Sequence, residues 1–510
     1  MKSIRMRVRP LDLEAGRRFV LLHESDAELL GYSPGDRVRL TTSRGSMVAM
    51  ASTTARLVGK GEIGSCVETT TALGLRTGDE IEISLAPRPR GVDAIRKKVD
   101  GRHLSSEEIG EIIRDIVSES LTSEEISAFV VAEHIRGMSM DEIVAMIHHM
   151  VETGDRLELD VDSVSDVHSI GGVPGNKYAL VTVPIAAAAG LVVPKTSSRA
   201  ITSAAGTADV MEVLANVSFS LDEMQRIVKK VGAVLAWGGS VRLAPADDIL
   251  IQVERVLGLD PRCQLLASVM SKKLAVGANQ ILIDIPTGPG AKVESMDEAR
   301  ALARDFIQLS HRLDVRLEAA ITYGGQPVGY AVGPALEARE ALETLMGKGP
   351  GSLIEKATSL AGIMLELGGV ARLGGGKEVA EDILKSGRAY RKMREIIEAQ
   401  GGNPDIQPGD VPVGDKVEVI PAPASGYVAQ VFNQRINEIA RAAGAPVDKG
   451  AGLRILMKEG RKVEKGEPLL EIYAEHEGKL DHAISIAKQK PPIRIEGMVL
   501  EKVTGEPRLR

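Results

Sequence analysis

DVHSIGGVPGNK at residues 166–177, then an apolar run, then KTSSRAITSAAGTAD at residues 195–209: this stretch decides how the chain reads. Six hydroxyls (Thr196, Ser197, Ser198, Thr202, Ser203 and Thr207) stand beside Lys195 and Arg199. Such a segment is poor core material, because a buried hydroxyl without a partner costs free energy. It is good anion-binding material, since hydroxyls, backbone N–H groups freed by glycine and two cations can surround a phosphate. Gly171, Gly172 and Gly175 make a second glycine loop just upstream. Two phosphate-friendly loops flanking one βα unit point to an α/β sheet whose strand ends hold two phosphate-bearing groups.

The rest of the composition bounds the class. A chain of 510 residues exceeds one ordinary core, so several domains are expected. The apolar share of 44% and charged share of 26% are those of a soluble globular protein. A net charge of −7, with no basic run interleaved with aromatics, argues against nucleic acid as a partner. Cys66 and Cys263 lie far apart and fit no metal or disulfide framework, so both read as buried thiols of a reducing cytoplasm. The longest apolar run, Tyr178 to Pro194, is interrupted by Pro184 and Gly190 and reads as a buried helix leading into a strand, not a membrane span. The opening MKSIRMRVRP lacks the apolar segment of a signal peptide. The expected location is cytoplasmic.

Upstream, residues 1–85 alternate in a β-like way and carry an internal echo. LGYSPGDRVRL at 30–40 is matched by LGLRTGDEIEI at 73–83, each a helix end, a glycine turn and a strand. A duplicated unit of this kind predicts a small pseudo-symmetric β barrel. A helical domain follows over 92–160, completed by about 245–276. Its capping boxes, Ser105 with Glu108, Thr122 with Glu125 and Ser139 with Glu142, recur at a spacing of 17. An α/β phosphate- and nucleotide-binding domain with a mixed sheet is expected over 161–400. Its β-rich runs (Val181–Val183, Leu191–Pro194, Ile281–Ile285) alternate with helical patterns. A C-terminal α+β domain is expected over 413–500.

The candidate chemistry is scattered. The loop Gly171–Lys177 fits neither a Walker A spacing nor a G-x-G-x-x-G fingerprint, so taken alone it is a turn. Asp260 and Pro261 read first as an N-cap and the first residue of a helix running to about Val276. An N-cap carboxylate feels the helix dipole, which favours its ionised form, so an acid role there needs burial or bound substrate. Ser268 and Lys272 share a face of that helix. Lys292 follows the strand Ile281–Ile285 and a glycine loop, a moderate phosphate signal. The adjacent His148 and His149 point to different sides of a helix, and no HExxH, CxxC or carboxylate cluster occurs, so no metal is expected.

These residues resemble the thymidine and pyrimidine-nucleoside phosphorylase family, most closely its archaeal AMP phosphorylase branch. The resemblance spans nearly the whole chain. Beyond the two loops it includes LSSEEIGEII, LTSEEISAFVVAEHIRGMSMDEIVAM, LAPADD, LDPRCQLLASVMSKKLAVGA, GYAVGPALEAREAL and GLRILMKEGRKVEKGEPLLEI. It implies phosphorolysis of AMP, extending to CMP and UMP, to free base and ribose 1,5-bisphosphate. Inorganic phosphate is the co-substrate, with no cofactor or metal. By motif, Ser198, Arg199, Ala200, Ile201, Thr202 and Ser203 form the nucleotide-binding loop and Thr207 adds a hydroxyl. Gly172 lets backbone approach the substrate, Ser268 and Lys292 contact the nucleotide, and Asp260 gives the leaving base its proton. Ser169 and Lys272 are secondary candidates. The resemblance further implies a homodimer or larger homo-oligomer, and closure of the helical and α/β domains on substrate.

One departure stands out. Where the family has a lysine before His-Ser, this chain has Val167, and Lys177 or Lys195 is the candidate replacement. Two other functions compete: a nucleoside phosphorylase, active without a 5′-phosphate, and a non-catalytic AMP-binding protein in which Asp260 is only a cap.

Overall fold

The structure, a computed structural model, describes residues 3–200 and 203–499. The chain divides into two units, one running through Gly154 and regaining Ala244–Ser271, the other made of Asp155–Leu243 and the residues from Lys272 onward.

The first unit opens with six strands: β1 (Ser3–Pro10), β2 (Phe19–His23), β3 (Arg37–Thr42), β4 (Gly45–Thr54), β5 (Glu62–Ser65) and β6 (Glu80–Leu85). They close a barrel in the order β1-β5-β2-β4-β3-β6, which leaves no free edge. The sequence echo is visible in its build. The helices Glu24–Leu30 and Val67–Leu73 both end on a left-handed glycine, Gly31 (φ 72°) and Gly74 (φ 58°), a conformation that a side chain would strain. Each then turns into β3 or β6, and these two strands pair antiparallel with Leu40 opposite Ile83. Val20, Leu22, Val38, Leu40, Ile63, Ile81 and Ile83 fill the interior.

Four helices follow, Gly91–Val99, Ser106–Val117, Ser123–Arg136 and Met140–Glu152, and the last three each have the capping box that the spacing predicts. Residues 244–271 add the helix Pro245–Leu257 and the start of the helix Arg262–Ala275.

The second unit is built on parallel strands. β7 (Ser165–Ser169) and β11 (Arg316–Tyr323) flank β10 (Gln280–Thr287), while β8 (Val193–Ser197) pairs β9 (Ala233–Trp237), and every pair is parallel. All eight residues of β10 are buried, as a strand covered on both faces requires. Val181–Val183, β-rich in sequence, lie instead inside the helix Ala179–Ala188, which is buried through Ala187. A short β-branched run surrounded by core cannot be told from a buried helix by its period. The rest of that reading holds, since the buried helix leads into β8.

Further along, Lys416–Pro421, Gly452–Ile455 and Pro468–Ala474 share a sheet with Ala331–Val332, and Gly426–Val431 pairs with Lys462–Val463 and Ile493–Glu496. The helices Asn433–Ala442 and Glu477–Gln489 pack on them over Ile436, Ile439, Leu453, Leu470 and Ile472. Cys66 and Cys263 are both buried free thiols, as expected. No helix among the described residues is long and apolar enough to cross a membrane.

Candidate active site

In the second unit, β7 and β10 run side by side with Ser169 opposite Asp284, so the loops that leave their carboxyl ends emerge together. Gly172, in the loop after β7, has φ +89°, and a Cβ placed on it would sit 2.4 Å from the backbone N of Lys292 in the loop after β10. Glycine is therefore required twice over, by conformation and by space. Two residues picked from separate motifs thus touch backbone to backbone. Ser169 helps shape the same loop, its Oγ accepting from Asn176 Nδ2 at 3.0 Å.

His168 marks the centre of the charge. Its Nδ1 is sealed from solvent without a hydrogen-bond partner. Burial pushes its pKa well below the usual imidazole value, and the charges of Lys273, Lys195, Lys272 and Lys292 push it further. Four ammonium groups from β8, the helix Arg262–Ala275 and the loop after β10 thus act on one ring. One of them is neutralised: Lys273 pairs with the fully buried Asp166 at 2.6 Å. The gathering of these cationic side chains at the strand ends favours an anion there. Lys273 was invisible as a candidate in sequence, because it sits beside Lys272 and only the fold turns it inward.

The Val167 departure resolves in part. Val167 is fully buried, and alternation along β7 sends it to the face opposite Asp166 and His168. Lys177 does not take up the missing contact. Its ammonium, fully buried, donates to the carbonyls of Gly175, Val328 and Ala331 at 2.9–3.0 Å and pairs with Glu340 at 2.7 Å. Lys195 stays in the cluster, donating to the Thr196 carbonyl at 2.7 Å. Burial, then repulsion from Lys273, pulls its pKa down to about 7 against the attraction of Asp166.

The hydroxyl-rich loop follows β8. Ser198 is exposed, Ser203 donates to the Ala205 carbonyl, and Thr207 opens the short helix Thr207–Met211. Ile201 and Thr202 lie outside the described residues. The Arg199 guanidinium forks onto Glu212 at 2.5 and 2.6 Å, reaches Asp209 at 3.3 Å and stacks 4.8 Å from the centre of the Trp237 ring. Asp209 in turn accepts the N–H groups of Ala200 (2.7 Å) and Gly206 (3.0 Å), tying the two flanks of the loop together. Neither acid was singled out from sequence, though both follow the hydroxyl run within five residues of Thr207.

The first unit carries Asp260 and Ser268. Asp260 is exposed and is not the N-cap. The Pro261 carbonyl accepts the Leu265 N–H at 3.0 Å and the helix runs Arg262–Ala275, so Pro261 takes the half-in position, where its missing N–H costs nothing. Ser268 donates to Asp247 Oδ2 at 2.8 Å, and Gln264 Nε2 donates to Asp247 Oδ1 at 3.2 Å. Asp247, fully buried in LAPADD, is the residue that orients Ser268, a pairing no spacing rule reveals.

A metal has one candidate place among the described residues: Asp448, Glu475 and His476 bring ligand atoms within 4.8 Å of one another. There Asp448 already pairs with Lys479 at 2.6 Å and Glu475 accepts the Gly450 N–H at 2.7 Å.

Residues 92–154 match the helical bundle domain of the glycosyl transferase family and residues 161–390 its a/b domain. Residues 427–494 match the pyrimidine nucleoside phosphorylase C-terminal domain, and residues 2–64 a molydopterin dinucleotide binding domain. The AMP phosphorylase of Thermococcus kodakarensis is 55% identical over 501 residues, covering 98% of this chain and 99% of that protein. The AMP phosphorylase of Methanocaldococcus jannaschii is 51% identical over 99% of this chain and all of its own length. Among solved structures, anthranilate phosphoribosyltransferase from Thermus thermophilus shares the fold over 61% of the chain, with a TM-score of 0.50 at 21% identity.

Proposed function

The chain belongs to the AMP phosphorylases, within the pyrimidine-nucleoside phosphorylase family, and on that premise we propose that it cleaves AMP with inorganic phosphate to adenine and ribose 1,5-bisphosphate. The observation that carries this reading is the set of lysines converging on His168 beside the touching backbones of Gly172 and Lys292. Such an array suits a reaction in which one phosphate must be held and another must attack.

In this reading Ser198, Arg199, Ala200, Ile201, Thr202, Ser203 and Thr207 embrace the nucleotide's own 5′-phosphate. Gly172, Lys292 and Ser268, the last oriented by Asp247, hold the nucleotide, and Ser169 and Lys272 are secondary candidates for contact with it. The attacking phosphate oxygen forms the new bond at C1′ as the C1′–N bond breaks. The bonding pair leaves with the base, and Asp260 supplies the proton. Protonating the leaving base is worth about 10²–10⁴-fold in rate in typical cases. The chemistry calls for no organic cofactor or metal, and CMP and UMP fit the same scheme. A homodimer or larger homo-oligomer acting in the cytoplasm completes the proposal.

Chromatography of base released from AMP, with and without phosphate and with adenosine and thymidine alongside, tests it. Phosphate-dependent adenine from AMP but little base from the nucleosides is the expected result, and Asp260→Asn then lowers kcat by about 10²-fold or more. Release from the nucleosides instead would move the activity to nucleoside phosphorolysis. AMP binding without any release would leave a binding protein.

A further inference from the structure

Lys449 lies in the C-terminal domain, far in sequence from the hydroxyl-rich loop, yet its ammonium reaches the carboxylates that hold that loop. It stands 2.7 Å from Glu212 Oε2 and 3.5 Å from Asp209 Oδ1. Arg199 uses the same two acids, sharing Glu212 Oε2 with Lys449. The backbone of Lys449 is itself fixed, its carbonyl accepting the Ala335 N–H at 3.0 Å. Two more residues of the same domain grip the loop: Asn437 Oδ1 accepts the Ala204 N–H at 3.2 Å, and Arg441 donates to the Ser203 carbonyl at 3.2 Å.

The arithmetic of the cluster gives Lys449 its meaning. Arg199 and Lys449 contribute two positive charges, Asp209 and Glu212 two negative ones, and the sum is zero. Without Lys449 the sum is −1. Both acids also shape the loop: Asp209 clasps Ala200 and Gly206, and Glu212 holds the Arg199 fork, a hold that a glutamine there keeps in part through its carbonyl oxygen. Arg441 on the Ser203 carbonyl adds a further positive charge, so losing Lys449 lowers the charge at the loop by one unit and weakens its attraction for the doubly charged phosphate it is to receive.

We propose that Lys449 is a positioning and specificity-determining residue, supplied by the C-terminal domain to cancel the charge of Asp209 and Glu212 so that the loop accepts a phosphate-bearing substrate. The inference rests on the AMP phosphorolysis reading. It gives the C-terminal domain a direct part in substrate choice. Removing the charge acts on KM for AMP and not on the chemical step. Because Arg199, Glu212 and Lys449 are each about one-third exposed, salt must weaken the effect.

Steady-state kinetics on the full chain test this with Lys449→Met, Lys449→Arg and the double variant Lys449→Met with Glu212→Gln, at about 0.05 M and about 0.5 M salt. Lys449→Met is expected to raise KM for AMP about tenfold at low salt with kcat within about twofold, and the gap narrows at high salt. Lys449→Arg restores KM. The double variant, with Arg199 against Asp209 alone, also restores it, which a merely structural loss would not do. An unchanged KM in Lys449→Met, a fall in kcat alone, or a double variant as impaired as the single one overturns the proposal. No phosphate-dependent adenine from the unaltered protein overturns the functional reading, and this inference with it.

Discussion

The backbone nitrogen of Lys292 occupies the space that a methyl group on Gly172 would need, 2.4 Å from the ideal Cβ position. Side chains cannot relieve such a contact, because the obstacle is main chain. Gly172→Ala must therefore push the loops after β7 and β10 apart and adopt an unfavourable positive φ as well. Displacements of about 1 Å at a reacting centre can cost on the order of 10²-fold, and kcat/KM should fall by about that much. The stability loss should stay near 1–3 kcal/mol, since both loops lie at the end of an intact sheet. Kinetics and thermal melting of the same sample check both figures.

The duplicated glycine turns and the recurring capping boxes were legible because each is a local device: a left-handed C-cap at Gly31 and Gly74, a reciprocal hydrogen bond between residues three apart. The loops after β7 and β8 were legible as strand-to-helix turns for the same reason. What escaped were partners fixed only by tertiary structure. Lys273 finds Asp166 across 107 positions, Asp247 finds Ser268 across 21, and Lys449 reaches back to Glu212. The helix starts at Arg262, one residue later than the sequence predicts, because a cap and a first-turn proline look alike in sequence.

Lys177 illustrates a charge whose role is purely architectural. It is surrounded by three carbonyls and Glu340, and Gly175 and Gly329 come close to the ammonium, with hypothetical Cβ positions 3.1–3.2 Å from Nζ. Glu340 also accepts the N–H groups of Tyr330 and Ala331, so removing the cation leaves a buried acid beside unsatisfied carbonyls. Lys177→Met should cost about 3–5 kcal/mol. Adding Glu340→Gln should recover part of that loss. Urea unfolding of the single and double variants decides it; equal losses would mean that the carbonyls, not the carboxylate, dominate.

Glu142 ties the helical region to pH. Burial opposes its ionisation, but Lys98 at 2.8 Å, the N–H groups of Leu104 and Ser139, and His103 outweigh burial and hold its pKa at about 2, below the usual 4.5. The folded value is the lower one, so the unfolded chain binds the proton more tightly. This group's stabilisation is complete above about pH 4.5 and is lost as pH falls toward 2. Glu142→Gln should therefore destabilise strongly at pH 7, where Lys98 is left buried without its partner, and the variant should lose little more on acidification. Thermal midpoints from pH 7 down to about pH 3 give the comparison; parallel curves for the two proteins would contradict it.

Lys195 makes the last prediction because binding and stability respond to its titration in opposite directions. Its folded pKa of about 7 lies below the usual 10.5. The unfolded chain therefore holds this proton more firmly, and this residue's contribution to stability rises with pH between those two values. Phosphate binding runs the other way, since only the ammonium form attracts an anion. Each pH unit above the folded pKa removes about a factor of ten from the protonated fraction. In the unaltered protein KM for phosphate should climb above pH 7, by up to about tenfold per unit. Lys195→Arg keeps its charge throughout and should flatten the climb. Comparing the two proteins cancels the titration of phosphate itself, which both experience equally. Melting curves collected alongside separate the effects: a KM that climbs while the fold does not weaken assigns the change to the ammonium. Identical pH profiles for the two proteins would remove Lys195 from the phosphate site.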